Sequence, residues 1–104
     1  MIVRLTLAAE ADLEAIGDWI ARDSPSRAIT FVAELHDACM TLARLPEGCA
    51  LVPRYESAGI RRQVYGNYLI FYRVNVSAVE VLHILHGARD YEQIIFSRRL
   101  MFNE

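Results

Sequence analysis

The sequence predicts an α+β fold, and three observations carry that reading. Apolar side chains recur at helical spacing from Ala9 to Leu45, as they do on helices with one face turned to a core. After Gly59 the pattern changes to runs rich in β-branched and aromatic residues with a period of two, the period of strands. Gly66-Asn67 stands between Tyr65 and Tyr68, and a two-residue loop with Gly first suits a type II′ hairpin, since glycine takes positive φ without steric cost.

The elements follow in order. Ile2 to Leu7 reads as a first strand with Val3, Leu5 and Leu7 on one side. A helix begins directly after it. Ala9, Leu13, Ile16 and Ile20 form its apolar stripe, and Glu10 and Glu14 fall on other faces in the early turns, where acids suit the helix dipole. Trp19 flanks the stripe and is expected to pack at the edge of the helical hairpin. Asp23-Ser24-Pro25 then starts a second helix, with Ser24 as cap and Pro25 where a missing N–H costs nothing. Phe31, Val32, Leu35, Ala38, Cys39, Leu42 and Leu45 make its apolar stripe, and Pro46 and Gly48 end it. The short link makes the two helices an antiparallel hairpin whose shared face needs a sheet.

Residues 46–59 read as a loop, followed by a meander of Ile60 to Tyr65, Tyr68 to Val74 and Val79 to His86. The middle strand presents Tyr68, Ile70, Tyr72 and Val74 on one side and Leu69, Phe71 and Arg73 on the other. One helical hairpin covers one side only. The second side is expected to lie partly under the C-terminal segment and partly open to a partner, because large apolar patches mark interaction sites. Asp90 is placed to cap a short helix from Tyr91 to Phe96, with Arg89 reaching back to the strands or to a carboxylate.

With 104 residues, 54% of them apolar, the chain suffices for one modest core and is read as a single domain, residues 1–104. No apolar run has the length of a membrane span, and acids appear too early for a signal peptide, so a cytoplasmic location is expected. Cys39 and Cys49 lack a CxxC spacing and are read as reduced thiols. The net charge is −2, and all 11 basic residues are arginine. Four arginines face eight acids in residues 1–50, whereas seven face five in residues 51–104. That balance argues against a general nucleic-acid binder and favours specific anion or protein contacts, for which the guanidinium fork is suited.

RNA cleavage demands a base, an acid and cations around a phosphate. Arg61, Arg62, Arg73 and Arg89 are the available cations, and Glu80, His83, His86 and Tyr91 the proton carriers. Strand parity divides them. Arg61 and Arg62 point to opposite faces, one toward solvent or target and the other under apolar cover with an acidic partner; His83 and His86 likewise divide. His83 is read as a core or interface histidine, and His86 as fixing its turn by bonding a carbonyl or Asp90. No histidine or cysteine has the neighbours of a metal site, His36 with Cys39 included, and no cofactor is expected.

Several blocks together resemble one family. They are Ala11-Asp12-Leu13-Glu14-Ala15-Ile16, Ser24-Pro25, Leu45-Pro46-Glu47-Gly48, Ile60-Arg61-Arg62, Gly66-Asn67-Tyr68, Phe71-Tyr72-Arg73 and His86-Gly87-Ala88-Arg89-Asp90. The chain resembles the ParE toxins of the RelE/ParE superfamily of bacterial toxin-antitoxin systems, departing at Leu7-Ala8-Ala9, where the family often has a Ser or Thr cap and a Pro; Thr6 is the nearest cap here. The resemblance implies a βααβββ fold, with an N-terminal helical hairpin on a mainly antiparallel sheet and a short C-terminal helix. It implies a ParD-like antitoxin that folds as it wraps the toxin, contact with operator DNA only through that antitoxin, plasmid stabilisation, and toxicity through DNA gyrase. On this reading Trp19, Phe31, Leu35, Leu69 and Phe71 are expected antitoxin contacts, and Arg61, Arg73, Arg89, Arg98, Arg99 and Phe102 expected target contacts. No catalytic residue is then assigned. Two alternatives stay open: a ribosome-dependent endoribonuclease of the RelE branch, using Arg61, Arg62, His86, Arg89 and Tyr91, and an antitoxin-binding module without toxicity.

Overall fold

A computed structural model describes residues 1–96. Strand β1 (Ile2–Leu5) leads into helices α1 (Leu7–Ala21) and α2 (Pro25–Met40), then β2 (Ile60–Tyr65), β3 (Tyr68–Val74), β4 (Ala78–His86) and the short α3 (Tyr91–Ile95). The sheet order is β1-β4-β3-β2. β1 runs parallel to β4, whereas β2, β3 and β4 form the antiparallel meander. The fold is the α+β arrangement expected, with both helices on one face of a four-stranded sheet.

Local chemistry explains the element ends. Gly66 adopts φ +58° between Tyr65 and Tyr68, the positive φ that the hairpin demands. Ser24 caps α2 by accepting the Arg27 N–H at 3.3 Å, and Thr6 caps α1 by accepting the Ala9 N–H at 3.1 Å. That cap shortens β1. Leu7, expected on the strand, is instead the first residue of α1 and is 85% exposed. At the other end α2 stops at Met40 and tightens into a 3-10 turn over Thr41–Ala43. Leu45, expected in the apolar stripe, is 71% exposed, because Pro46 disfavours helical φ/ψ in the residue before it.

The two faces of the sheet bury separate cores. On the helical side, Leu13, Ile16, Leu35 and Cys39 meet Ile70, Tyr72, Val81 and Ile84. Gly17 allows the helices close approach, since a Cβ there would lie 3.1 Å from Val32 Cγ2. On the other side, Val52, Ile60, Phe71, Leu85 and Phe96 form a second buried cluster under α3 and the segment before β2. Phe96 stacks on Tyr55 at 3.9 Å between centroids, and Arg54 pairs with Glu92 at 2.8 Å. The chain therefore covers more of this face itself than the sequence suggests; Leu69, Leu82, Ile94 and Ile95 remain half-buried there.

Two buried groups give direct predictions. The Tyr72 hydroxyl is buried with no hydrogen-bond partner among the described residues, and burial, with Cys49 beside it, pushes the phenol above its ordinary range. An unsatisfied buried hydroxyl is a cost rather than a gain. Tyr72→Phe is therefore expected to leave stability unchanged or raise it by about 1 kcal/mol in urea denaturation; a loss of more than that would reveal a bond to the hydroxyl. Burial likewise raises the Cys39 thiol to about 11, while Cys49 is only half-buried. Iodoacetamide at mildly alkaline pH is expected to modify Cys49 well before Cys39, since the thiolate is the nucleophile, as peptide mass mapping would show.

Candidate functional site

β1 ends at Leu5, opposite Val81, so the rest of β4 has no strand beside it on that edge. The side chains of α1 take over. Asp12 Oδ2 accepts the Ile84 N–H at 2.9 Å and lies 2.8 Å from His83 Nδ1, and Thr6 Oγ1 donates to the Leu82 carbonyl at 3.0 Å. Beyond this anchor the helix and the strand diverge. A cleft of about 400 Å³ opens between Asp12, Ala15, Ile16 and Trp19 on α1 and Tyr68, Ile84, Leu85 and His86 on the sheet, with Arg89 at its end. The four α1 residues fall at three- and four-residue steps, which places them on one helix face.

Ile16 and Ile84, buried in the cleft, are apolar, and its exposed residues include Trp19, His86 and Arg89. Trp19, expected to pack at the hairpin edge, is 64% exposed. The Arg22 guanidinium sits 4.9 Å from its ring centroid, an i, i+3 placement on the helix surface. His86 meets Tyr68 edge-on at 5.3 Å, and its Nδ1 accepts the Ala88 N–H at 3.0 Å. It does fix its turn, through that amide rather than through a carbonyl or Asp90. The acceptor role of Nδ1 leaves Nε2 for a ligand.

Several expected sites are displaced. Leu35 and Phe71, expected antitoxin contacts, are fully buried and offer no surface to a partner. Phe31 is half-buried, tilted against Tyr65 and Tyr68 at 6.0 and 5.6 Å, and Leu69 is half-buried on the opposite face. Arg61 and Arg62 do part to opposite faces, but neither finds an acid among the described residues. Arg61 Nη1 donates to the Cys49 carbonyl at 2.6 Å, while Arg62 Nη1 donates to the Tyr91 hydroxyl at 2.9 Å. Arg73 is exposed and pairs with Glu80 at 3.3 Å. Arg89 reaches no carboxylate among the described residues and borders the cleft instead. Asp90 caps α3 through the Gln93 N–H, as its position suggests. Arg98, Arg99 and Phe102 lie outside the described residues.

The histidines divide as strand parity predicts: His83 pairs with Phe71 and His86 with Tyr68, in unbroken alternation, so their side chains leave opposite faces. The bulge at Leu82, next to the pairing of Tyr72 with Val81, lies before both and leaves that division intact. His83 meets Asp12 at the free edge of β4, and His86 lines the cleft. Of the nuclease set, Arg62 stands with Tyr91, His86 with Arg89, and Arg61 alone. Asp12, Tyr68 and Arg22 drew no attention as site residues, although the spacing of Asp12, Ala15, Ile16 and Trp19 signals a shared face. Among the described residues no three His, Cys, Asp or Glu side chains gather as metal ligands, and no helix there is long and apolar enough to cross a membrane.

Comparison with known proteins adds independent findings. A family model for the ParE toxin of the type II toxin-antitoxin system parDE matches residues 3–91. The chain is similar to a solved structure of the chromosomal ParDE system from P. aeruginosa, with 25% identity and a TM-score of 0.71 over 83% of this chain and 95% of that one. It is also similar to a chain of the RelBE2 toxin-antitoxin complex from Mycobacterium tuberculosis, with 26% identity and a TM-score of 0.62 over 85% of this chain and 92% of that one. No curated protein matches.

Proposed function

This chain belongs to the ParE toxin family of type II toxin-antitoxin systems, and from that premise we propose that it blocks DNA gyrase by binding and is neutralised by a ParD-like antitoxin. The observation that carries the binding mode is the dispersal of its candidate catalytic groups. General acid-base cleavage needs its groups within hydrogen-bond reach of one reacting centre. Here Arg61 is engaged by backbone carbonyls on one face, Arg62 and Tyr91 stand on the other, and His86 and Arg89 border the cleft. The similarity to a ParDE structure supports an antitoxin of the ParD type. The test is supercoiling by purified gyrase in the presence of this protein. Inhibition, or accumulation of cleaved DNA, is the expected result; full supercoiling at saturating toxin would sink the gyrase reading.

One observation favours a second reading. The Arg62 guanidinium and the Tyr91 hydroxyl, 2.9 Å apart, join a phosphate-binding group to a proton carrier, and the RelBE2 chain is among the similar structures. A ribosome-dependent endoribonuclease would cut mRNA on translating ribosomes and lose that activity in Tyr91→Phe. Intact transcripts after induction would remove this reading.

A further inference from the structure

We propose that the cleft between α1 and the β4–α3 turn is an anchor pocket for an acidic peptide segment supplied by the antitoxin, taking one large apolar side chain beside Trp19 and carboxylates on Arg89 and Arg22. The proposal rests on the toxin reading and adds to it the place and the chemistry of one contact. The cleft volume, about 400 Å³, falls within the range of roughly 300–1,000 Å³ typical of ligand pockets. Its base is Ile16 and Ile84, both buried, whose side chains offer an apolar group no hydrogen bond and no charge. Trp19 joins it to a smaller hollow that Arg22 and Asp23 complete. Tryptophan and arginine are the residue types that most often dominate binding energy at protein interfaces.

Charge selects the partner. Neither Arg22 nor Arg89 has a carboxylate within ion-pair distance among the described residues, so Arg89 on the cleft lining and Arg22 beside Trp19 each present a cation to a ligand. The nearby acids are largely engaged: Asp12 accepts from Ile84 and faces His83, and Asp90 caps α3. Asp23 lines the hollow beside Arg22, and Asp18 stands one helical turn before Arg22, without an ion pair to it. A nucleic-acid strand suits the site less well, because the chain carries a net charge of −2 and α1 exposes Glu10, Glu14 and Asp18 to a phosphate backbone. Carboxylates on a short peptide meet the two arginines without crossing that acidic face.

Trp19 is the chain's one tryptophan, so its fluorescence reports on this site alone. The probes are a hexapeptide with Leu-Phe at its centre and two glutamates on each side, its counterpart with lysines for glutamates, and octathymidylate. Only the acidic peptide is expected to shift the Trp19 emission saturably to the blue. Ala15→Phe, which fills the cleft, and Arg89→Gln, which removes its exposed cation, are each expected to weaken that peptide about tenfold, the loss that separates an interface hot spot from a neutral contact. Unchanged melting temperatures would show both variants folded. Equal response to the lysine peptide or to octathymidylate, or affinities within about twofold in both variants, would overturn the proposal. The antitoxin is expected to displace the peptide; peptide binding of undiminished affinity in the toxin-antitoxin complex would refute the assigned source. Growth arrest on induction without peptide binding sinks the pocket and spares the toxin reading, whereas peptide binding without growth arrest upholds the pocket and sinks that reading.

Discussion

Phe71→Ala is expected to cost about 3–5 kcal/mol, the range for truncating a fully buried aromatic ring. The ring has no exposed surface and lies between β3 and α3, 5.0 Å from the Tyr91 ring and in the cluster with Val52, Ile60 and Leu85. Because domains of this size are stable by only about 5–15 kcal/mol, such a loss would leave the fold marginal. Urea denaturation checks it, through a lower midpoint at an unchanged slope. Phe71→Leu is expected to recover most of the stability, since an apolar side chain of similar size refills the space. The folded fraction of Phe71→Ala is expected to bind antitoxin normally. Loss of antitoxin binding in a variant of native stability would instead show that a partner reaches this ring.

Elements set by neighbouring residues were legible in the sequence. Ser24 and Pro25 start α2, Asp90 caps α3, and Gly66 turns the hairpin between strands predicted to the residue. In each case the deciding interaction spans a few positions. What escaped is set by distant parts of the chain. Whether Phe71 faces a partner or the protein's own core depends on Val52 and Phe96 folding over it, and the apolar alternation of β3 is the same in both cases. The parting of Arg61 from Arg62 followed from strand parity, yet their partners, a carbonyl of the preceding loop and a tyrosine hydroxyl of α3, did not. The partner of His83 escaped likewise: parity assigns its side of the strand, but only the packing of α1 on β4 brings the Asp12 carboxylate to it. The cleft is also set by distant parts of the chain: it exists because β1, which ends just before the Thr6 cap, is shorter than β4.

Asp12→Ala is the substitution with the largest expected effect on the cleft itself. Asp12 serves as the missing neighbour of β4, accepting the Ile84 N–H at 2.9 Å while facing the His83 ring at 2.8 Å. Ile84 is almost fully buried, so its amide has no ready route to water once the carboxylate is gone. A buried donor left unpaired costs about 1–3 kcal/mol; the half-buried His83 ring can turn to solvent and adds less. Asp12→Asn keeps an acceptor for the amide and is expected to retain most of the stability. Hydrogen exchange separates this local account from general destabilisation: the Ile84 amide should lose protection in Asp12→Ala beyond the change seen at β2 and β3 amides, and regain it in Asp12→Asn. Equal loss of protection throughout the sheet would show that Asp12 acts on the fold as a whole. If the local effect holds, the consequence reaches the proposed site, because Asp12 and Ile84 are shared between the anchor and the cleft wall. Asp12→Ala should then weaken the acidic peptide even under conditions where the protein remains folded, whereas Asp12→Asn should bind it nearly as well as the parent chain.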